Sequence, residues 1–223
     1  MIFRHELKHE INFSDLIAVR QRLCAAAQPD QYAVGGKYRV RSMYFDNLRD
    51  KALREKLEGL NYREKFRIRY YNGDTSFLCL EKKTKLNGLG NKQKARLSEE
   101  ETERLLCGDY RWMKESGRPL VTELYSKMMS QGLRPKAIVD YTREPFTYRP
   151  GNVRVTLDYN LRTGIGCREF LNPDCVTIPA GNPVIIMEVK WDEFLPSAIQ
   201  DAVQLKSRRA AAFSKYAACR IHG

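Results

Sequence analysis

Residues 63–70 place basic side chains at every second position over the length of a typical strand, reading Arg-Glu-Lys-Phe-Arg-Ile-Arg-Tyr. Because successive side chains of a β-strand point to opposite sides, the four basic residues share one face and the other face is mostly apolar. Like charges on one strand face repel each other. The stretch therefore predicts a β-strand whose basic face is either fully hydrated or in contact with an anion.

The same alternation recurs in several other predicted strands. Charged residues share a face, with apolar residues between them, in the stretches 78–83, 92–97, 153–158 and 185–191. A single charged strand face is ordinary on a protein surface, but its repetition favours one polar surface shared by several strands. Small barrels usually fill their interior with apolar side chains. If these strands close with their charges inward, the interior is an aqueous and mostly cationic tunnel, and periodicity alone leaves that orientation open.

Turn and capping signals organise the rest of the chain. Asn72-Gly73-Asp74 predicts a hairpin between strands 61–71 and 75–85. Ser98 followed by three glutamates predicts a helix start, and a further helix is predicted over 119–131. About eight strands with helices at intervals predict an α+β fold with an antiparallel sheet or barrel. Since the sequence has no linker-like segment, residues 1–223 are predicted to form a single domain.

The charge balance predicts a polyanionic partner. Lys and Arg number 39 against 27 Asp and Glu, which gives a formal net charge of +12. Much of the excess lies inside strands, whereas nucleic-acid tails and membrane-surface helices concentrate it in blocks or on one helix face. The aromatic residues lie mostly on the apolar strand faces, whereas base stacking needs them among the cations. No nucleic-acid partner is expected, and the oligomeric state is left open.

The termini and cysteines indicate a compartment. No stretch is long and apolar enough to span a bilayer, and the charged start Met1–Glu6 does not resemble a signal peptide. The six cysteines are scattered without a CxxC pair and fit a reducing compartment. With three histidines in the chain, they do not favour a zinc site. A cytoplasmic location is therefore expected.

Several motifs, taken in order along the chain, resemble those of VTC (vacuolar transporter chaperone) domains. The basic strand Arg63–Tyr71 is the most distinctive. The others are Glu6-Leu7-Lys8, Met43-Tyr44-Phe45-Asp46, Leu80-Glu81-Lys82-Lys83, Met187-Glu188-Val189-Lys190 and Phe213-Ser214-Lys215-Tyr216. The resemblance spans almost the whole chain. It implies the triphosphate-tunnel fold, an antiparallel β-barrel tunnel of about eight strands with flanking helices.

The resemblance also implies a metal-dependent phosphotransferase. VTC domains belong to the triphosphate tunnel metalloenzymes, and the implied activity is that of a polyphosphate polymerase, which transfers the γ-phosphate of ATP onto a growing polyphosphate chain. The implied partners are ATP and polyphosphate or triphosphate, and the implied cofactor is Mn²⁺ or Mg²⁺. A terminal phosphate oxygen is already anionic at neutral pH, so this reaction needs positioning and charge neutralisation rather than a general base.

Residue roles follow from positions within the matching motifs. Arg presents a rigid fork for phosphate and Lys a mobile point charge. The implied phosphate-binding residues are Lys8, Arg67, Arg69, Lys83, Arg143, Arg154, Ser214 and Lys215. Glu188 matches the carboxylate that holds the divalent ion, and the implied catalytic set is Lys8, Arg67, Arg69 and Glu188. The alternative for Glu188 is an ion pair with Lys190. Without ligand, the clustered cations are expected to repel one another.

Other activities of the same superfamily remain as alternatives. Triphosphatases and adenylate cyclases resemble E-x-E-x-K at the first strand, whereas this chain reads Arg4-x-Glu6-x-Lys8. One carboxylate fewer makes a metal-bound attacking water less favoured and a cationic phosphate site more favoured. A further alternative is a module that binds polyphosphate or nucleic acid without turnover, because fold alone does not determine activity.

Overall fold

The computed structural model describes residues 5–87, 89–165, 168–205, 208, 210 and 212–222. Ten strands and seven helices are found in these residues. The strands are β1 (His5–Ile11), β2 (Gln28–Pro29), β3 (Tyr38–Asp46), β4 (Tyr62–Tyr71), β5 (Asp74–Leu86), β6 (Leu89–Leu97), β7 (Arg134–Tyr148), β8 (Val153–Ile165), β9 (Ile178–Pro179) and β10 (Ile185–Trp191). The helices are α1 (Phe13–Ala26), α2 (Lys51–Leu57), α3 (Glu99–Leu106), α4 (Arg111–Lys114), α5 (Pro119–Gln131), α6 (Ser197–Val203) and α7 (Lys215–His222).

Eight strands follow one hydrogen-bonded path in the order β1-β10-β8-β7-β3-β4-β5-β6, and β2 and β9 pair with β7 and β8 beside it. The β1–β10, β10–β8, β3–β4, β4–β5 and β5–β6 pairs are antiparallel. The predicted α+β class, with an antiparallel sheet of eight strands along its main path and flanking helices, is confirmed. Within the described residues, none of the helices has the length and apolar character that crossing a bilayer requires.

The residues group into two compact units. Unit 1 comprises Met1–Arg39, Tyr141–Leu161 and Asn182–Phe213, and unit 2 comprises Val40–Asp140, Arg162–Gly181 and Ser214–Gly223. The long strands β7 and β8 contribute to both units. The prediction of one domain over residues 1–223 stays a prediction.

Unit 1 has its own apolar core between strands and helices. Helix α1 begins after Asn12, whose side chain accepts a hydrogen bond from the Asp15 N–H while the Asp15 carboxylate accepts one from the Asn12 N–H. Its apolar residues recur at helical spacing and therefore lie on one face. They pack with α6 and with alternate residues of β8 and β10. The members include Leu16, Val19, Leu23, Val155, Leu157, Met187, Val189, Ile199 and Ala202.

Unit 2 also has its own apolar core between strands and helices, and helix α5 lies at its centre. Pro119 opens the helix with its φ already restricted, and Gly132 ends it in the left-handed region at φ +70°, so that the helix has the predicted bounds 119–131. Its apolar face packs with α3, α4 and alternate residues of β3, β4 and β5. The members include Met43, Phe45, Phe66, Ile68, Tyr70, Leu78, Leu80, Leu105, Met113, Val121, Leu124 and Met128. Burial of one face of each sheet region leaves the intervening polar residues on the other.

Candidate functional site

The polar face of unit 1 lies on β1, β10 and β8, opposite the core. The strand register places Lys8 opposite Glu188, and Glu6 opposite Lys190. Lys190 in turn lies opposite Arg154 on β8. Because neighbours along each strand are two residues apart, all five side chains share one face, on which acidic and basic groups are mixed. Arg4, which precedes this pattern on the sequence, lies outside the described residues.

Glu188 is the centre of this pattern. It is 6% exposed, and its carboxylate lies 2.8 Å from Lys190 Nζ, 3.7 Å from Arg143 Nη2 and 3.8 Å from Lys8 Nζ. Burial lowers the pKa of Lys8, but the neighbouring carboxylates of Glu188 and Glu6 outweigh it, so that its pKa is raised. Lys8 therefore stays charged at neutral pH and can act as a point charge toward an anion.

Arg143 is held by a fork of hydrogen bonds. Its Nε and Nη2 donate to the two oxygens of Asp158 at 2.6 and 2.7 Å, and the Asp158 side chain is fully buried. Its guanidinium also lies 5.3 Å from the ring centre of Tyr141. This bidentate pair fixes the orientation of Arg143 more tightly than a single contact would.

The polar face of unit 2 lies on β3, β4, β5 and β6 and is far more basic. The register aligns its side chains in three rows across the strands, in which Glu81 is the one carboxylate. The rows are Lys65, Lys83 and Lys92; Tyr44, Arg67, Glu81 and Lys94; and Ser42, Arg69, Cys79 and Arg96. This arrangement supplies many N–H donors on one surface, which is the chemistry that a polyphosphate requires.

Arg67 lies at the middle of this basic face. It donates from Nε and Nη2 to Glu81 Oε2 at 2.7 and 2.5 Å, and from Nη1 to the Tyr44 hydroxyl at 2.8 Å. Lys92 pairs with the same carboxylate. Burial alone would raise the pKa of Glu81, but Arg67, Arg69 and Lys92 hold it well below its usual range. Glu81 therefore stays charged and partly neutralises the surrounding cations.

The remaining predicted phosphate ligands differ in their contacts. Arg69 is 4% exposed and donates from Nε to the Ser42 hydroxyl at 2.9 Å. Arg154 donates from Nη2 to the Asp30 carboxylate at 2.9 Å and to the Tyr38 hydroxyl at 2.7 Å. Lys83 is half-buried in the row of three lysines.

The two predicted ligands near the C-terminus lie at the start of α7. The Ser214 hydroxyl accepts a hydrogen bond from the Ala217 N–H at 3.3 Å, so it caps this helix. Lys215 is the first residue of the helix and is half-buried. Both roles in phosphate binding stay predictions.

The expected repulsion among bare cations is wrong for three of the predicted ligands. Arg67, Arg143 and Arg154 each pair with a carboxylate, from Glu81, Asp158 and Asp30 respectively. These acidic partners and Tyr44 were missed as site residues. The alternation showed Glu81 and Asp158 on the polar faces, but their pairing depends on strand register, which the alternation does not give.

A divalent ion fits this site only if the substrate supplies most of its ligands. Among the described residues, no group of three or more His, Cys, Asp or Glu side chains could hold a metal ion. Mg²⁺ and Mn²⁺ often bind through one or two carboxylates together with phosphate oxygens and water. Glu188, an anion among three cations, is compatible with that mode of binding.

The chain belongs to the VTC domain family, whose model matches residues 3–221. The sequence motifs, the antiparallel sheet and the basic face of unit 2 agree with this membership. Curated protein sequences gave no match.

Solved structures show weaker likenesses. The PH1819 protein from Pyrococcus horikoshii OT3 is 14% identical, with 90% of this chain and 84% of that chain covered and a TM-score of 0.44. A proposed adenylate cyclase from Bacillus halodurans is 12% identical, with 85% and 80% covered and a TM-score of 0.48. Another from Vibrio parahaemolyticus is 10% identical, with 91% and 83% covered and a TM-score of 0.46. At these TM-scores the likenesses carry no argument about activity.

Proposed function

We propose that this chain is a polyphosphate polymerase that transfers the γ-phosphate of ATP onto a growing polyphosphate chain. The observation that supports this most is the basic face of unit 2, in a chain that belongs to the VTC domain family. Single-stranded nucleic-acid sites combine cations with exposed aromatics. On β4 the aromatic residues between the cations, Phe66 and Tyr70, are buried on the opposite face, so this strand offers bases no surface for stacking.

Arg67 and Arg69 bind phosphoryl oxygens, with Lys83 adding charge beside them. Because Arg67 is already held by Glu81 and Tyr44, little side-chain freedom is lost when phosphate binds. Phosphate then replaces part of the interaction with Glu81. This exchange of one anion for another keeps the guanidinium satisfied before and after binding.

In unit 1, the side chains of Lys8, Arg143 and Arg154 likewise exchange part of their contact with a carboxylate for a contact with phosphate. Ser214 and Lys215 add contacts from the start of α7. Glu188 would hold Mn²⁺ or Mg²⁺, which supplies neutralisation of charge on the transferring phosphoryl group. The chain's own residues orient the two phosphate chains for in-line transfer. The attacking phosphate oxygen carries a negative charge at neutral pH, so no side chain has to remove a proton.

The activity is tested by incubating the purified protein with ATP and Mn²⁺ and separating the products on a gel. Polyphosphate together with ADP is expected. Orthophosphate without polymer would indicate a triphosphatase, and cyclic AMP with pyrophosphate would indicate a cyclase. Triphosphate binding without any turnover would indicate a binding module. Each of these three results overturns the polymerase.

A matched pair of variants tests the binding face independently of turnover. Arg69→Ala should weaken triphosphate binding by about 1.5–3 kcal/mol, the range for a hydrogen bond to a charged group. The Glu81 carboxylate, which Arg69 also helps to hold charged, keeps its pairs with Arg67 and Lys92 in this variant. Arg111→Ala, on the exposed surface of α4, should leave the affinity unchanged. Equal affinities of the two variants by calorimetry would contradict the assignment of this face.

A further inference from the structure

Tyr44 lies inside the basic face of unit 2, directly opposite Arg67 in the β3–β4 register. It is 4% exposed, close to the 6% of Arg67 and the 4% of Arg69. Its ring stacks on Tyr216 of α7, with ring centres 5.0 Å apart and an interplanar angle of 24°. The stack and the strand backbone together hold the hydroxyl in one place.

The Tyr44 hydroxyl accepts a hydrogen bond but donates none within the described residues. Its oxygen accepts from Arg67 Nη1 at 2.8 Å. Since a phenol both donates and accepts, its own proton still needs an acceptor, and the described part of the chain provides none. A buried donor without an acceptor costs free energy, and such groups in native proteins commonly await a ligand, ion or water.

The charged groups around this hydroxyl are mostly cationic. Lys65 Nζ and the Arg67 guanidinium lie 5.8 and 5.7 Å from the ring centre. Arg69 adds charge from β4, and Glu81 faces the site from β5 through its pair with Arg67. On the α7 side, the Tyr216 hydroxyl donates to the buried Asp46 carboxylate, which also accepts from backbone N–H groups at the start of α2.

We propose that Tyr44 is a phosphate ligand, which receives a hydrogen bond from Arg67 and donates its own proton to a non-bridging oxygen of the bound phosphate chain. The inference rests on the proposed function and adds a neutral donor to its binding site. A hydroxyl and a guanidinium nitrogen that lie 2.8 Å apart can reach neighbouring oxygens of one phosphoryl group. Carboxylate substrates offer the same kind of acceptor, but the many cations across three rows fit the higher charge of a polyphosphate.

The protonation of Tyr44 gives the proposal a distinctive signature. Burial would raise the pKa of Tyr44, but Arg67, Lys65 and Arg69 lower it to about 8. Above that pH the free protein carries a phenolate, which cannot donate and which repels phosphate. Bound triphosphate adds negative charge next to the hydroxyl and therefore raises the pKa of Tyr44.

Tyr44→Phe is the test, because it keeps the ring and its stack on Tyr216 and removes the hydroxyl alone. Calorimetry with triphosphate near pH 7 should show an affinity loss of about tenfold or more. As the pH rises through about 8, the affinity of the unaltered protein should fall more steeply than that of Tyr44→Phe. Tyr32→Phe, which removes an exposed hydroxyl, should match the unaltered protein in both measurements.

Absorbance titration of tyrosinate separates direct contact from a merely structural role. One tyrosine should titrate near pH 8, move to higher pH with triphosphate and be missing in Tyr44→Phe. If Tyr44→Phe binds as well as the unaltered protein while Arg69→Ala binds poorly, the inference is wrong and the proposed function stands. If triphosphate leaves the Tyr44 titration unmoved although it binds, the direct contact is likewise excluded. If the unaltered protein does not bind triphosphate, the proposed function falls and this inference with it.

Discussion

The polar face of unit 1 mixes acidic and basic side chains, whereas that of unit 2 carries three rows in which cations predominate and Glu81 is the acidic member. Both faces lie opposite an apolar core on antiparallel strands, so the difference is one of side chains and not of framework. A mixed face suits the orientation of a divalent ion together with its phosphate ligands. A cationic face suits anion binding. We infer that unit 1 contributes more to turnover and unit 2 more to affinity.

Among these substitutions, Glu188→Gln in unit 1 should produce the largest effect, a loss of ATP turnover. The substitution keeps the shape of a buried side chain but removes the anion among Lys190, Arg143 and Lys8. Turnover of ATP should fall by roughly 100-fold or more, since a divalent ion supplies several kcal/mol of charge stabilisation. Triphosphate binding should persist or tighten, because the three cations lose their counterion.

The alternative role of Glu188 predicts the opposite pattern. A structural ion pair with Lys190 would give a lower melting temperature with activity per folded molecule retained. Turnover, melting temperature and triphosphate affinity are measured on one preparation, with the exposed Glu193→Gln as control. A destabilised but active Glu188→Gln protein would refute the metal role.

Asp158→Asn should produce the next largest effect, on stability. Asp158 is fully buried and holds Arg143 through two hydrogen bonds, so its neutralisation leaves a buried guanidinium without a counterion at that position. Loss of one partner of a buried pair costs about 3–5 kcal/mol, which lowers the melting temperature of a chain of this size by roughly 6–20 °C. The control Asp109→Asn breaks an exposed ion pair with Arg104 and should lower the melting temperature much less. Similar changes of melting temperature in Asp158→Asn and Asp109→Asn would show that the Arg143–Asp158 pair does not stabilise the fold.

Glu81→Gln should have opposite effects on stability and binding. Removal of this carboxylate leaves Arg67 and Lys92 less compensated, so the ligand-free protein should melt at a lower temperature. Because Glu81 no longer competes with phosphate, triphosphate should bind about tenfold more tightly, as for one hydrogen bond to a charged group. The control is Glu115→Gln, on the exposed surface of unit 2. Weaker binding by Glu81→Gln would mean that Glu81 orients Arg67 for phosphate and does not compete with it.

The sequence was sufficient to predict which side chains share a strand face, but not which residues they pair with on the neighbouring strand. Period-two alternation in β4 identified Arg67 and Arg69 as neighbours on one face, and local turn and cap residues defined the β4–β5 hairpin and α5. Counting outward from the Asn72-Gly73 turn would set Arg67 opposite Leu78. A register shift between Arg69 and Tyr71 instead sets it opposite Glu81.

Contacts between distant parts of the chain left no local signal at all. Arg154 and Asp30 are 124 positions apart, and the Tyr44–Tyr216 stack joins β3 to the last helix. Such pairs result from how whole elements pack, and neither alternation nor capping residues report that packing. The acidic partners of the predicted phosphate ligands were therefore identified only from the structure.

Arg154→Ala should give the smallest effect among the predicted phosphate ligands. Its side chain is 38% exposed and already engaged by Asp30 and by the Tyr38 hydroxyl, whereas Arg69 is buried. A half-exposed ion pair contributes under about 1 kcal/mol, and phosphate bound by such a hydrated group should gain no more. Calorimetry should therefore show a loss of triphosphate affinity below about fivefold, a loss smaller than that of Arg69→Ala. Asp30→Asn releases Arg154 from its carboxylate and should shift the affinity slightly in the other direction. If Arg154→Ala instead weakens binding as much as Arg69→Ala does, then the mixed face of unit 1 binds phosphate as strongly as the cationic face of unit 2, and the division of roles between them fails.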